Sequence, residues 1–157
     1  MQTRSQVTTT TTVTGTTSNG YLSLNTGYLR TINGWLKVAQ IGTGLIVLLL
    51  LVFWKYTCSV SWGHFLQLTS FCFFTITALM LFSCVASLSG MTLLTTLFYL
   101  NYHILGFTYY LCGALAVVIQ APSNQDAGLG IAAGVLGLLN ASFYGIDALF
   151  AFKGRLN

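Results

Sequence analysis

The sequence predicts an all-α membrane protein, an antiparallel four-transmembrane-helix bundle with both termini cytoplasmic. Three observations lead there. Hydrophobic residues make up 55% of the 157 positions and charged residues only 5%, against about 25% charged in a soluble domain. The apolar residues are gathered into four long runs with short connections. The basic residues fall almost entirely on one of the two sides that those runs define. Six Lys/Arg, two Asp/Glu and two His are too few to solvate the surface of a globule. A soluble enzyme, a disordered chain and a nucleic-acid binder are all disfavoured. The formal charge of +4 comes from scattered end residues and makes no patch.

The elements follow in chain order. Residues 1–27 read as a disordered Thr-rich cytoplasmic tail, because 8–12 is an unbroken threonine run and almost nothing there can build a core. The basic-then-apolar pattern of a signal peptide is missing, so the first helix is expected to stay as a span. Tyr28, Leu29 and Ile32 stand at helical spacing and could lie in the interface, although Gly27 and Gly34 weaken that segment. The transmembrane domain covers 28–155, with helices at about 35–54, 64–88, 91–119 and 127–152. Each run meets the requirement of roughly 20 mostly apolar residues. Backbone groups in lipid must bond within the segment, so the runs are helices; an outer-membrane barrel would alternate instead. The third run would be about 43 Å long at 1.5 Å per residue. It should tilt, or extend past a hydrocarbon layer about 30 Å thick. The connections, 55–63, 89–90 and 120–126 with the only proline, Pro122, enforce an up-down order.

Arg4, Arg30, Lys37, Lys153 and Arg155 fall on the side holding both termini, and Lys55 alone on the other. That asymmetry puts the termini in the cytoplasm. Trp35, Trp54 and Trp62 fall at the expected interfaces, where aromatic belts form.

A carboxylate within a span is costly and marks a site by default. Asp147 lies near the end of the fourth run, at a depth similar to Lys37 and Gln40 in the first. The simplest reading is a structural polar pair, Asp147 with Lys37 or with Gln40, and Tyr144 one turn away to donate a further hydrogen bond. A proton or ion pathway and a partner-binding role are the alternatives. Asn101, His103 and Asn140 lie deeper and could form a mid-membrane polar layer, with Thr75 and Thr77 near the same level. Gly130, Gly134, Gly137, Ala141 and Gly145 make a small-residue packing face on the fourth helix, within the chain or against a partner. Its glycines lack the spacing and the preceding strand of a dinucleotide loop.

Of the four cysteines, Cys58 lies in a loop without a partner, and Cys72, Cys84 and Cys112 read as small packing residues. Palmitoylation of Cys84 is a weaker reading. No CxxC or metal spacing appears. His64 and His103 differ too much in depth to share a haem. The Asn140-Ala141-Ser142 sequon lies within a span and should be unused. No cofactor and no catalytic or metal residue is expected.

Several segments together resemble the MARVEL-domain family of four-span proteins. They are Leu29-Arg30-Thr31, Gly34-Trp35-Leu36-Lys37-Val38-Ala39-Gln40, Asn101-Tyr102-His103, Tyr144-Gly145-Ile146-Asp147-Ala148 and Phe152-Lys153. The resemblance covers about residues 28–155. Gln40 stands where several members carry an acid, and Asn101 where several have aspartate. The resemblance implies a membrane-organising or trafficking role at vesicles, junctions or specialised membrane patches, without catalysis. The expected partners are membrane lipids and an integral-membrane protein or a second copy, with no nucleic acid. The expected place is the plasma membrane or a vesicle membrane. An auxiliary subunit of a receptor, channel or adhesion complex is the alternative, and a small transporter comes third.

Overall fold

The structure is a computed structural model that describes residues 26–55, 57, 59, 61–86, 92, 94–123 and 127–156. Nearly all of the predicted tail, and Cys58, lie outside the described residues. Among the described residues, four helices are long and apolar enough to cross a membrane. They are α1 (Ile32–Phe53), α2 (Ser61–Ala86), α3 (Leu97–Gln120) and α4 (Ala127–Leu156). A 3-10 turn, Thr26–Arg30, precedes α1, and another, Ala121–Ser123, follows α3. The first of these overlaps the end of the segment assigned to the tail.

The boundaries have local causes. Thr31 caps α1: its backbone is extended and its hydroxyl oxygen accepts from the Gly34 N–H at 3.2 Å while donating to the Tyr28 carbonyl at 2.7 Å. This cap, rather than the aromatic at Trp35, starts the helix. The same device corrects the third span. Thr96 caps α3 by accepting from the Tyr99 N–H at 3.3 Å, and a turn closed by Thr95 N–H on the Thr92 carbonyl at 3.2 Å precedes it. Hydropathy merged that turn into the run beginning at 91. With 24 residues, α3 is about 36 Å long, close to the thickness of a bilayer core. Pro122 cannot continue a helix, so α3 ends in the second 3-10 turn.

Neighbouring helices run antiparallel. At one end the Trp54 indole packs on Gly130 at the start of α4 and on Gly63 at the start of α2. At the other end Lys37 of α1 meets Asp147 of α4 and the first turns of α3. Trp54 is therefore buried, not part of an interfacial belt; Trp35 and Trp62 are the exposed pair.

The small-residue face of α4 packs within the chain. A Cβ on Gly134 would stand 2.5 Å from Val118 Cγ2 and 3.1 Å from the Ala114 carbonyl; on Gly137 it would stand 2.9 Å from Ala114 Cβ. Gly130 receives Trp54, Gly145 faces Phe107, and Ala141 is buried. Close approach of two backbones is what such faces permit where lipid offers no hydrophobic drive for helix association. The bundle encloses buried polar groups within an apolar core that includes Val47, Leu51, Leu66 and Phe73, and its outer surface is apolar. Lys37, Gln40, Ser70, Thr77, His103, Asn140 and Asp147 are buried, whereas Leu49, Leu79, Leu105 and Leu149 point outward.

Candidate functional site

The site lies at the end of the bundle where α1 begins and α4 ends. Lys37 and Gln40 are one turn apart on the inner face of α1, Tyr99 and His103 one turn apart on α3, and Asp147 projects from α4. Lys37 and Asp147 are each 1% exposed, and Gln40 and His103 are fully enclosed. The Lys37 ammonium forms an ion pair with Asp147 Oδ2. It also contacts His103 Nε2 and donates to Gln40 Oε1 at 3.3 Å. Three N–H donors thus meet three acceptors, and the Tyr99 ring lies 4.7 Å from the ammonium.

The acceptor side is equally complete. Gln40 Nε2 donates to Asp147 Oδ2 at 3.0 Å and to the Phe143 carbonyl at 3.3 Å. The Tyr99 hydroxyl donates to Asp147 Oδ1 at 2.7 Å. His103 Nδ1 lies 2.6 Å from the Tyr99 carbonyl, and a carbonyl only accepts, so Nδ1 carries a proton. In the neutral ring Nε2 then offers its lone pair to Lys37. The cluster is a charge-balanced knot joining α1, α3 and α4, with every polar atom engaged.

A second hub lies deeper. Thr77 of α2 contacts the hydroxyls of Tyr144 at 2.7 Å and Tyr102 at 2.9 Å. The Tyr102 hydroxyl donates to the Phe73 carbonyl at 3.0 Å. Tyr144 therefore does not reach Asp147; Tyr99 serves the carboxylate instead. The proposed layer of Asn101, His103 and Asn140 is divided. His103 joins the ion pair, Asn140 is buried elsewhere in the bundle, and Asn101 is exposed on the outer face of α3. Thr75 turns back to its own helix, donating to the Phe71 carbonyl at 2.8 Å. Helical geometry places residues 101 and 103 about 200° apart, so one helix cannot offer both to the same interior.

Sequence reasoning missed Tyr99 as a ligand of the carboxylate. The signal was present: Tyr99, Tyr102, His103, Gly106, Tyr110, Gly113 and Ala114 recur at helical spacing and are all buried. Cys72 and Cys112 are exposed, not packing residues; Cys84 is buried. It lies beside the Tyr28 phenol, which burial pushes above its ordinary value. Among the described residues, no three His, Cys, Asp or Glu stand close enough to hold a metal ion.

Two surface features flank the knot. A cleft of about 320 Å³, lined by Asn33, Thr95, Tyr99, Asp147 and Phe150 among others, approaches the carboxylate from the terminal end. An apolar groove of about 370 Å³ runs between α3 and α4, lined by Leu100, Ile104, Phe107, Gly145 and Leu149 among others. Comparisons with family models, curated proteins and solved structures return no match.

Proposed function

We propose that this chain is a non-enzymatic membrane organiser of MARVEL type, acting by lateral contacts with lipids and integral-membrane proteins in vesicles, junctions or specialised membrane patches. The observation that carries the reading is how the polar groups are spent. Lys37, Gln40, Tyr99, His103 and Asp147 satisfy one another inside the bundle, and what faces outward along the spans is chiefly Leu, Ile, Val and Phe. A molecule so built offers its surroundings a lateral apolar surface rather than a reactive centre. Both termini lie in the cytoplasm in this reading, on the strength of the basic residues around α1 and the end of α4.

The test is purification from membranes in a mild detergent, followed by mass spectrometry of bound proteins and lipids. An organiser yields several partners at low and variable ratio, with retained lipid. One partner at fixed stoichiometry would replace this reading by that of an auxiliary subunit, for which the groove between α3 and α4 is the available seat. Tags at both ends should react with antibody only after the plasma membrane is permeabilised. Labelling of an N-terminal tag on intact cells overturns the orientation.

A further inference from the structure

At the middle of the bundle each helix contributes one residue to a single point: Gly44 from α1, Ser70 from α2, Tyr110 from α3 and Asn140 from α4. Ser70, Tyr110 and Asn140 are fully buried. Among the described residues, Ser70 Oγ, the Tyr110 hydroxyl and both amide atoms of Asn140 have no hydrogen-bond partner. Ser70 and Asn140 lie close enough to act on the Tyr110 hydroxyl, but none of the three side chains meets another in full hydrogen-bond geometry. A Cβ on Gly44 would stand 3.1 Å from that hydroxyl and 3.4 Å from Asn140 Nδ2, so the glycine keeps side-chain atoms away from these groups.

Four orphaned polar atoms at one point are costly in any protein interior, and bilayer hydrocarbon offers them no alternative partner. An internal water makes about three hydrogen bonds to such groups and needs two to four polar partners around it. The three side chains meet that need chemically. The hydroxyls of Ser70 and Tyr110 can each donate or accept, the amide carbonyl accepts, and the amide nitrogen donates. We infer that the Gly44–Ser70–Tyr110–Asn140 junction is a binding site for internal water, one or two molecules bridging α2, α3 and α4 at mid-membrane depth. The ligand is water because the junction is enclosed by all four helices and carries no charge. This site is separate from the ion-paired knot, which has no unsatisfied atom to offer.

The neighbouring Tyr144 supplies an internal control. It is as deeply buried as Tyr110 and stacks on it at 5.5 Å between ring centroids, but its hydroxyl is already bonded to Thr77. X-ray radiolysis of the full chain in nanodiscs generates hydroxyl radicals from bound water, and oxidation is read residue by residue by mass spectrometry. Tyr110 should oxidise at least about five-fold faster than Tyr144. In Asn140→Leu, which removes two of the four polar atoms, that ratio should fall toward one while the oxidation of exposed Trp35 and Trp62 stays as in the wild type. Equal rates for Tyr110 and Tyr144 in the wild type would overturn the site, leaving direct contact among the three side chains as the means of satisfaction. A ratio unchanged in Asn140→Leu would likewise remove this junction as the source of the water.

Discussion

The two polar regions of the bundle differ in how they are satisfied. At the terminal end, Lys37, Gln40, Tyr99, His103 and Asp147 form a closed set in which each donor has its acceptor. At mid-depth, Ser70, Tyr110 and Asn140 converge without bonding one another. The difference tracks charge. A buried ion pair left partly unsatisfied is prohibitively costly, so the fold must complete it from within. Neutral hydroxyls and an amide can be completed by a small guest. The knot therefore locks helix positions, and the junction tolerates adjustment.

Breaking the knot should have the largest effect. Asp147→Ala or Lys37→Ala leaves the other charge buried without its counterion, at a cost of about 3–5 kcal/mol. In a cycle of Lys37→Met, Asp147→Leu and the two together, the double variant should recover much of the loss seen in each single variant, as read by thermal unfolding in detergent. A strictly additive cycle would reject the coupling. Next comes steric overload of α4. Gly134→Leu forces atoms into Val118 and the Ala114 backbone and should cost about 1–3 kcal/mol or more. Leu139→Ile, on a side chain 46% exposed to the outside, should leave the melting temperature nearly unchanged.

Tyr99→Phe tests the knot more gently. It removes one hydrogen bond to an ionised carboxylate and should cost about 1.5–3 kcal/mol. Ser70→Ala at the junction should cost no more than about 1 kcal/mol, because a water can rearrange where a charged acceptor cannot. Equal losses from these two substitutions would erase the contrast between the regions. The smallest effect belongs to Tyr28. Burial raises its phenol above the ordinary value near 10.0, so above that pH the unfolded chain releases a proton that the folded chain retains. Stability contributed by this group is present below pH 10 and declines as the pH rises further. Tyr28→Phe should flatten that decline in an unfolding series from pH 9 to 11.

The span count was legible because hydrocarbon demands long unbroken apolar helices, and nothing else in the chain could supply four of them. The Asp147–Lys37 association was legible from depth alone, since a carboxylate and an ammonium at one level of adjacent spans have few other ways to be neutralised. The start of α3 was not. The run from 91 is continuous in hydropathy, and only the hydroxyl of Thr96 bonding to the Tyr99 N–H marks the boundary. Nor could hydropathy distinguish Asn101 from His103. They are two residues apart, both polar, and separated only by the rotation of a helix whose inner face is fixed by its neighbours.

The sequence by itself determined the class of the molecule, the number of spans, the small-residue face of α4 and the residue types able to neutralise a buried charge. These are properties of composition and period, felt by each segment separately. Only the tertiary structure decided that Tyr99 and not Tyr144 serves Asp147, that Trp54 turns inward onto Gly130, and that Gly44, Ser70, Tyr110 and Asn140 meet at one point. Those outcomes depend on the rotation and axial offset of four helices relative to one another. Such quantities are set by side chains from different helices interlocking at once, and no single segment carries them.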